Sequence, residues 1–239
     1  MGLFSAIGSV LSAAGSAIVS GISNVCSTIG GAVFSGVSGI AGLAKDLVFP
    51  ALGLELSEII IAIHLVSVII SAVAEALGLK GEETPEELGL KAEQADKKPE
   101  DFDSIQEYID YLRNEVEVDK SKLDNLSQEE KVTYGAIGSA ICVKGIEEKY
   151  GMEMSGDFWT TVAKMGMKGQ EVKTYIDHFK LHDIHEMKDM TDYIKGVHLD
   201  ENKDRHNIGS AILDALKELN PELSDESLKE KLLDMHVEG

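Results

Sequence analysis

The sequence predicts an essentially all-α protein, with a long small-residue apolar N-terminal helix or hairpin followed by an acidic helical bundle. Three observations predict it. No region alternates apolar and polar residues with period two, as a half-buried strand would. Serines recur near the N-terminus with a helical period. The rest of the chain is a series of charged amphipathic segments, several opened by recognisable helix caps.

Charge divides the 239-residue chain. Residues 1–79 hold one cation, Lys45, and four carboxylates, Asp46, Glu55, Glu58 and Glu75. Nearly all of the formal net charge of −20 therefore belongs to residues 80–239. Such acidity opposes nucleic-acid binding, which needs Lys and Arg to neutralise phosphate. A hydrophobic content of 44% disfavours disorder. Two cysteines, Cys26 and Cys142, are too few for a disulfide scaffold and read as free small hydrophobes.

The first element is residues 1–44, which carry no charged side chain and nine glycines. Without an early cation the segment does not read as a signal peptide, which points to synthesis in a reducing cytoplasm. Met1-Gly2 resembles a myristoylation start, but Ala6 stands where Ser or Thr is preferred. Ser5, Ser9, Ser12, Ser16, Ser20, Ser23 and Ser27 form a stripe with a mean step of about 3.67 residues, the period of a nearly straight helix. Ile7, Leu11, Ile18 and Ile22 mostly fall on other sides. The stripe suits close helix packing through small residues, or a hydroxyl-lined channel built from several copies. Each glycine costs a helix roughly 1 kcal/mol relative to Ala, so this segment needs packing, a membrane or an assembly to hold it.

The opening Gly2-Leu3-Phe4-Ser5-Ala6-Ile7-Gly8-Ser9-Val10 resembles the glycine-rich starts of viral fusion peptides and of some membrane-lytic host-defence peptides. It differs from lytic peptides in having no cation. In character, residues 1–79 are similar to penetration or ejection proteins of virions and phage tails. The resemblance implies insertion into a membrane or placement inside an assembly, with Gly2, Leu3, Phe4, Ile7, Leu11, Ile18 and Ile22 as the inserting or packing residues.

A second apolar run follows Pro50 and Gly53. Residues 59–74 are uncharged and bracketed by Glu58 and Glu75. The run falls short of the roughly 20 residues of a membrane span, so it reads as a buried helix or the second arm of a hydrophobic hairpin. Its β-branched content leaves a buried strand as the minor alternative. His64 within it is expected to be a satisfied polar residue at a helix contact.

Residues 80–101 change character and read as an acidic linker with a short helix. Thr84 is placed to cap it, Pro85 to open it and Pro99 to end it. Helices are expected over 103–118, 127–150, 155–166, 169–181, 188–196, 206–219 and 224–236. Ser127-Gln128-Glu129-Glu130 is a capping box, and Ser224 starts the last helix after Asn220-Pro221. A faint repeat divides this part into 102–168 and 169–239. Tyr108-Ile109-Asp110-Tyr111-Leu112 returns as Tyr175-Ile176-Asp177-His178-Phe179, and Ile137-Gly138-Ser139-Ala140-Ile141 as Ile208-Gly209-Ser210-Ala211-Ile212. A true repeat would make Gly138 and Gly209 equivalent close crossings; chance likeness of amphipathic helices is the competing reading.

Chemistry-bearing patterns are few. His178, His182 and His185, at i, i+4 and i+7, share one helix face and suit Zn²⁺ ligation, a protonation-sensitive surface or a plain solvated face. Glu129-Glu130 and Glu147-Glu148 read as solvated helix faces. Phe158 and Trp159, with Met152, Met154, Met165 and Met167, read as core.

The expectation is a non-catalytic structural or delivery component of a larger assembly, a phage-tail-like or virion particle, with no cofactor and no nucleic acid. Its partners are expected to be copies of itself or other subunits, and a membrane on triggering. The alternative is a pore-forming toxin or bacteriocin kept soluble by its acidic domain.

Overall fold

The computed structural model describes residues 56–79, 81, 83–199 and 203–235. Among them are ten α-helices: α1 (Leu56–Ala76), α2 (Pro85–Gln94), α3 (Ile105–Glu115), α4 (Lys120–Asp124), α5 (Gln128–Tyr150), α6 (Gly156–Lys164), α7 (Gly169–Leu181), α8 (Lys188–Ile194), α9 (Arg205–Leu219) and α10 (Asp225–Asp234). A single 3₁₀ turn covers Pro99–Asp101. The only extended pairing among these residues is a bridge between Glu153 and Glu186. The described residues are all-α, as the missing period-two pattern predicts, and 59–74 lies within α1 rather than in a strand.

Local chemistry sets the helix starts. Thr84 accepts the Glu87 N–H, with Pro85 at the first helical position of α2. Ser127 and Glu130 form the reciprocal box that opens α5, at 2.8 and 3.2 Å. Ser224 accepts the Ser227 N–H at the start of α10. Each such cap satisfies an N–H that the first helical turn leaves without a partner.

Two hydrophobic clusters share the long helix α5. One is built from α2, α3 and the first half of α5, with Leu88, Leu90, Leu112 and Ile137 buried. The other joins α1 to α6–α10 and the second half of α5, through Ile70, Val73, Ile146, Phe158, Ile176, Phe179 and Ile212. Cys142 touches both. The expected aromatic and methionine core holds: Phe158, Trp159, Met152, Met154 and Met167 are buried, with Met165 packed against them.

Four findings differ from the sequence-based expectations. The short helix expected in 80–101 is present, but it is core and not linker: it lies along α5, with Leu90 fully buried. His64 is exposed on α1 instead of sitting in a contact. The pair Glu147-Glu148 is engaged: Glu148 accepts the Ile105 N–H at the start of α3 (2.7 Å), and Glu147 accepts the Met154 N–H (2.9 Å). The paired motifs also have unlike surroundings. α3 packs on α5, as α7 does on α9. Yet Gly138 lies against the backbone of α2, while Gly209 lies against the Tyr193 ring.

α1 is held into this frame at its C-terminal end. Gly78, at φ 69°, reverses the chain, and Leu79 N–H returns to the Ala74 carbonyl at 2.8 Å. Lys149 donates to the Leu77 carbonyl (2.7 Å) and Arg113 to that of Leu79 (2.6 Å), so two cations complement the negative helix end. Arg113 also pairs with Glu83, which fixes the turn into α2. No helix among the described residues is long and apolar enough to cross a membrane.

Candidate functional site

Two places carry the site-like chemistry of the described residues. One is the seam between α7 and α9, where the predicted histidines fall. The helices pack antiparallel there, because His178 faces Glu218 while His182 faces Asp214, four residues on in one helix and four back in the other. His178 Nε2 lies 2.8 Å from Glu218 Oε2. His182 Nε2 lies 2.9 Å from Asp214 Oδ2, and its Nδ1 lies 2.9 Å from Asn207 Oδ1. The bond to Asn207 first, and that to Asp214 second, hold the His182 pKa above its usual value, against partial burial.

His185 does not join them. The i, i+4, i+7 pattern presumes a continuous helix, but α7 ends at Leu181 with His182 as its cap. Asp183 then takes a left-handed φ of 58° and turns the chain away. His185 pairs instead with Asp183, at 3.1 Å and in solvent. Among the described residues no three His, Cys, Asp or Glu side chains are grouped to hold a metal ion. The imidazoles proposed as zinc ligands are instead engaged by carboxylates and an amide.

The second place is an open cavity of about 370 Å³ between α1 and the start of α2. His64, Val68, Ser71 and Glu75 line it from α1, and Glu83, Thr84 and Glu86 from the turn and α2. Val68 is 47% exposed on this face. Ser67, next to Val68 at the inner wall of the cavity, is buried and shares a hydrogen bond with Ser139 of α5 at 2.8 Å. The cavity is therefore an open groove of mixed lining, in which Val68, Ala72 and Pro85 stand beside the polar groups, on the outward side of α1.

Sequence reasoning missed Asn207, Asp214 and Glu218. A usable signal was present: Asp214 and Glu218 repeat the four-residue step of His178 and His182 on a second amphipathic helix. The proposed inserting residues Gly2, Leu3, Phe4, Ile7, Leu11, Ile18 and Ile22, and the serine stripe Ser5, Ser9, Ser12, Ser16, Ser20, Ser23 and Ser27, lie outside the described residues. No protein-family model, curated protein or solved structure matches this chain.

Proposed function

We propose that the protein is a non-catalytic component of a larger assembly, of the phage-tail-like or virion delivery kind. In it the acidic helical module carries the apolar, small-residue N-terminal segment. The observation that supports this reading is the way α1 joins the two. α1 lies next to that segment in the chain, yet its C-terminal half is core: Ile70, Val73 and Ala74 are buried among α5, α6 and α7. Burial of each large apolar side chain of this kind contributes roughly 1.5–3 kcal/mol. Its end is also tied down by Lys149 and Arg113. The module is thus a rigid mount for the residues before α1, and its excess of carboxylates favours solubility. The outward groove on α1 offers a face for a neighbouring subunit.

The test is the mass of the full chain in solution, by light scattering, beside dye release from lipid vesicles at neutral and acidic pH. A defined oligomer without dye release is the expected result, and Val68→Arg on the groove should shift it toward monomer. A monodisperse monomer that releases dye would replace the assembly reading with that of a pore-forming toxin. A stable, inert monomer would overturn both.

A further inference from the structure

His182 has an acceptor at each ring nitrogen. The Asn207 amide is oriented by its own donor: Nδ2 donates to the His182 carbonyl oxygen at 2.9 Å. The atom facing Nδ1 is therefore the amide oxygen, which only accepts. The atom facing Nε2 is a carboxylate oxygen of Asp214. A neutral imidazole carries one N–H, so either tautomer leaves a ring lone pair pointing at an acceptor 2.9 Å away. Turning Asn207 over would relieve Nδ1, but it would aim the amide oxygen at the His182 carbonyl. Only the doubly protonated ring satisfies all three groups together.

We propose that His182, Asn207 and Asp214 form a proton-operated clasp between α7 and α9, closed on the imidazolium and released when the ring loses a proton. The surroundings fit a cation. α9 supplies Asp214 and, one turn on, Glu218 beside His178. On α7, Lys173 and Asp177 neutralise each other, and Lys180 lies over the Tyr150 ring at the end of α5. Beyond the helix, Asp183 is paired with His185. The C-terminal end of α7 also favours a positive group.

Release reaches α1 through α7. The first residue of α7, Gly169, touches the Ala72 backbone: a Cβ there would lie 2.3 Å from the Ala72 oxygen. A helix clasped to α9 at one end thus abuts α1 at the other. The direction in pH follows from linkage. A histidine held above its unfolded value near 6.5 adds stability that is complete below that value and is lost as pH rises through the folded one. The clasp is therefore shut on the acid side and opens on the alkaline side. Asp214 is half exposed, so added salt weakens it.

The experiment is an NMR pH titration of the imidazole resonances in the full chain, with hydrogen exchange of the amides at the end of α7. In the wild type, His182 should titrate above 6.5. Asp214→Asn should lower its midpoint and Asn207→Asp should raise it. Opposite movements of this kind cannot come from a general loss of structure. Exchange protection at the end of α7, corrected for intrinsic rates, should fall as His182 deprotonates. A wild-type midpoint at or below 6.5 overturns the proposal, and this single titration decides it if neither variant folds. Failure of both substitutions to move the midpoint, or protection indifferent to the titration, overturns it as well.

Discussion

Gly138 of α5 and Pro85 of α2 meet backbone to backbone. A Cβ built on Gly138 would lie 1.9 Å from the Pro85 carbonyl oxygen. One turn away the relation is reversed, since a Cβ on Gly89 of α2 would lie 2.0 Å from the Tyr134 oxygen of α5. The two helices run antiparallel with glycines offered from both sides. This closeness is what lets a ten-residue helix bury Leu88 and Leu90 against α5.

The first prediction follows from that crossing. Neither carbonyl can step aside without moving its helix, so Gly138→Ala and Gly89→Ala should each destabilise by about 1–3 kcal/mol or more, as overpacking does. Urea unfolding of the single and double variants would measure it. The two sites share one interface, so the double variant should lose less than the sum of the singles. A loss below about 0.5 kcal/mol at both positions would show that the helices do not cross this closely.

Gly135 makes the contrast. It lies on the same helix, only three residues from Gly138, but a Cβ there would meet Glu86 side-chain atoms at 3.4 Å or more. That is ordinary contact with a flexible side chain. Helix propensity then decides the sign, and Gly135→Ala should raise stability by up to about 1 kcal/mol. The same urea series would show the opposite shift to that of Gly138→Ala.

What was legible in the chain was chemistry that acts over three or four residues. The caps at Thr84, Ser127 and Ser224 stand where their side chains predict them. The apolar run of α1 and the amphipathic segments became helices because their periodicity is local. The rest depends on partners far along the chain. Asn207 and Asp214 lie 25 and 32 residues from His182, and Ile105 lies 43 from Glu148. Gly138 and Gly209 occupy the same five-residue motif, yet only one meets a second backbone. The end of α7 at Leu181 stands where the sequence places it, but the turn beyond it, which takes His185 off the shared face, was hidden for another reason. No glycine marks it, because Asp183 takes the left-handed position that Gly78, Gly151, Gly166 and Gly196 take elsewhere.

The Ser67–Ser139 pair supports a double-mutant cycle. Both hydroxyls are buried, and each oxygen lies 2.8 Å from the other between α1 and α5. Ser139→Ala removes one partner and leaves the Ser67 hydroxyl without that bond, at a cost of about 1–3 kcal/mol. Ser67→Ala should cost about as much. The double variant removes the unpaired group as well, so its loss should be less than the sum by about 1 kcal/mol. Thermal or urea unfolding of the four proteins reads the coupling. A coupling near zero would mean that the bond does not join α1 to α5.

Asp183 offers the converse test, a position where the native residue is the strained one. Its φ of 58° carries the bond from the Ile184 N–H back to the Phe179 carbonyl at 2.9 Å, which closes the end of α7. An L-residue with a Cβ pays for this conformation and glycine does not. Aspartate tolerates it better than most, and glycine adds entropy to the unfolded chain, so Asp183→Gly should gain only about 0.5 kcal/mol. The lost contact with His185 is solvent-exposed and contributes little. Gly196→Ala is the matched opposite. Its φ is 65° and a Cβ there would meet nothing within 4 Å, so any loss, expected at about 1 kcal/mol, is backbone strain alone. If Asp183→Gly destabilises while Gly196→Ala behaves as expected, the Asp183 carboxylate must hold the chain in a way that its exposed contact with His185 does not explain.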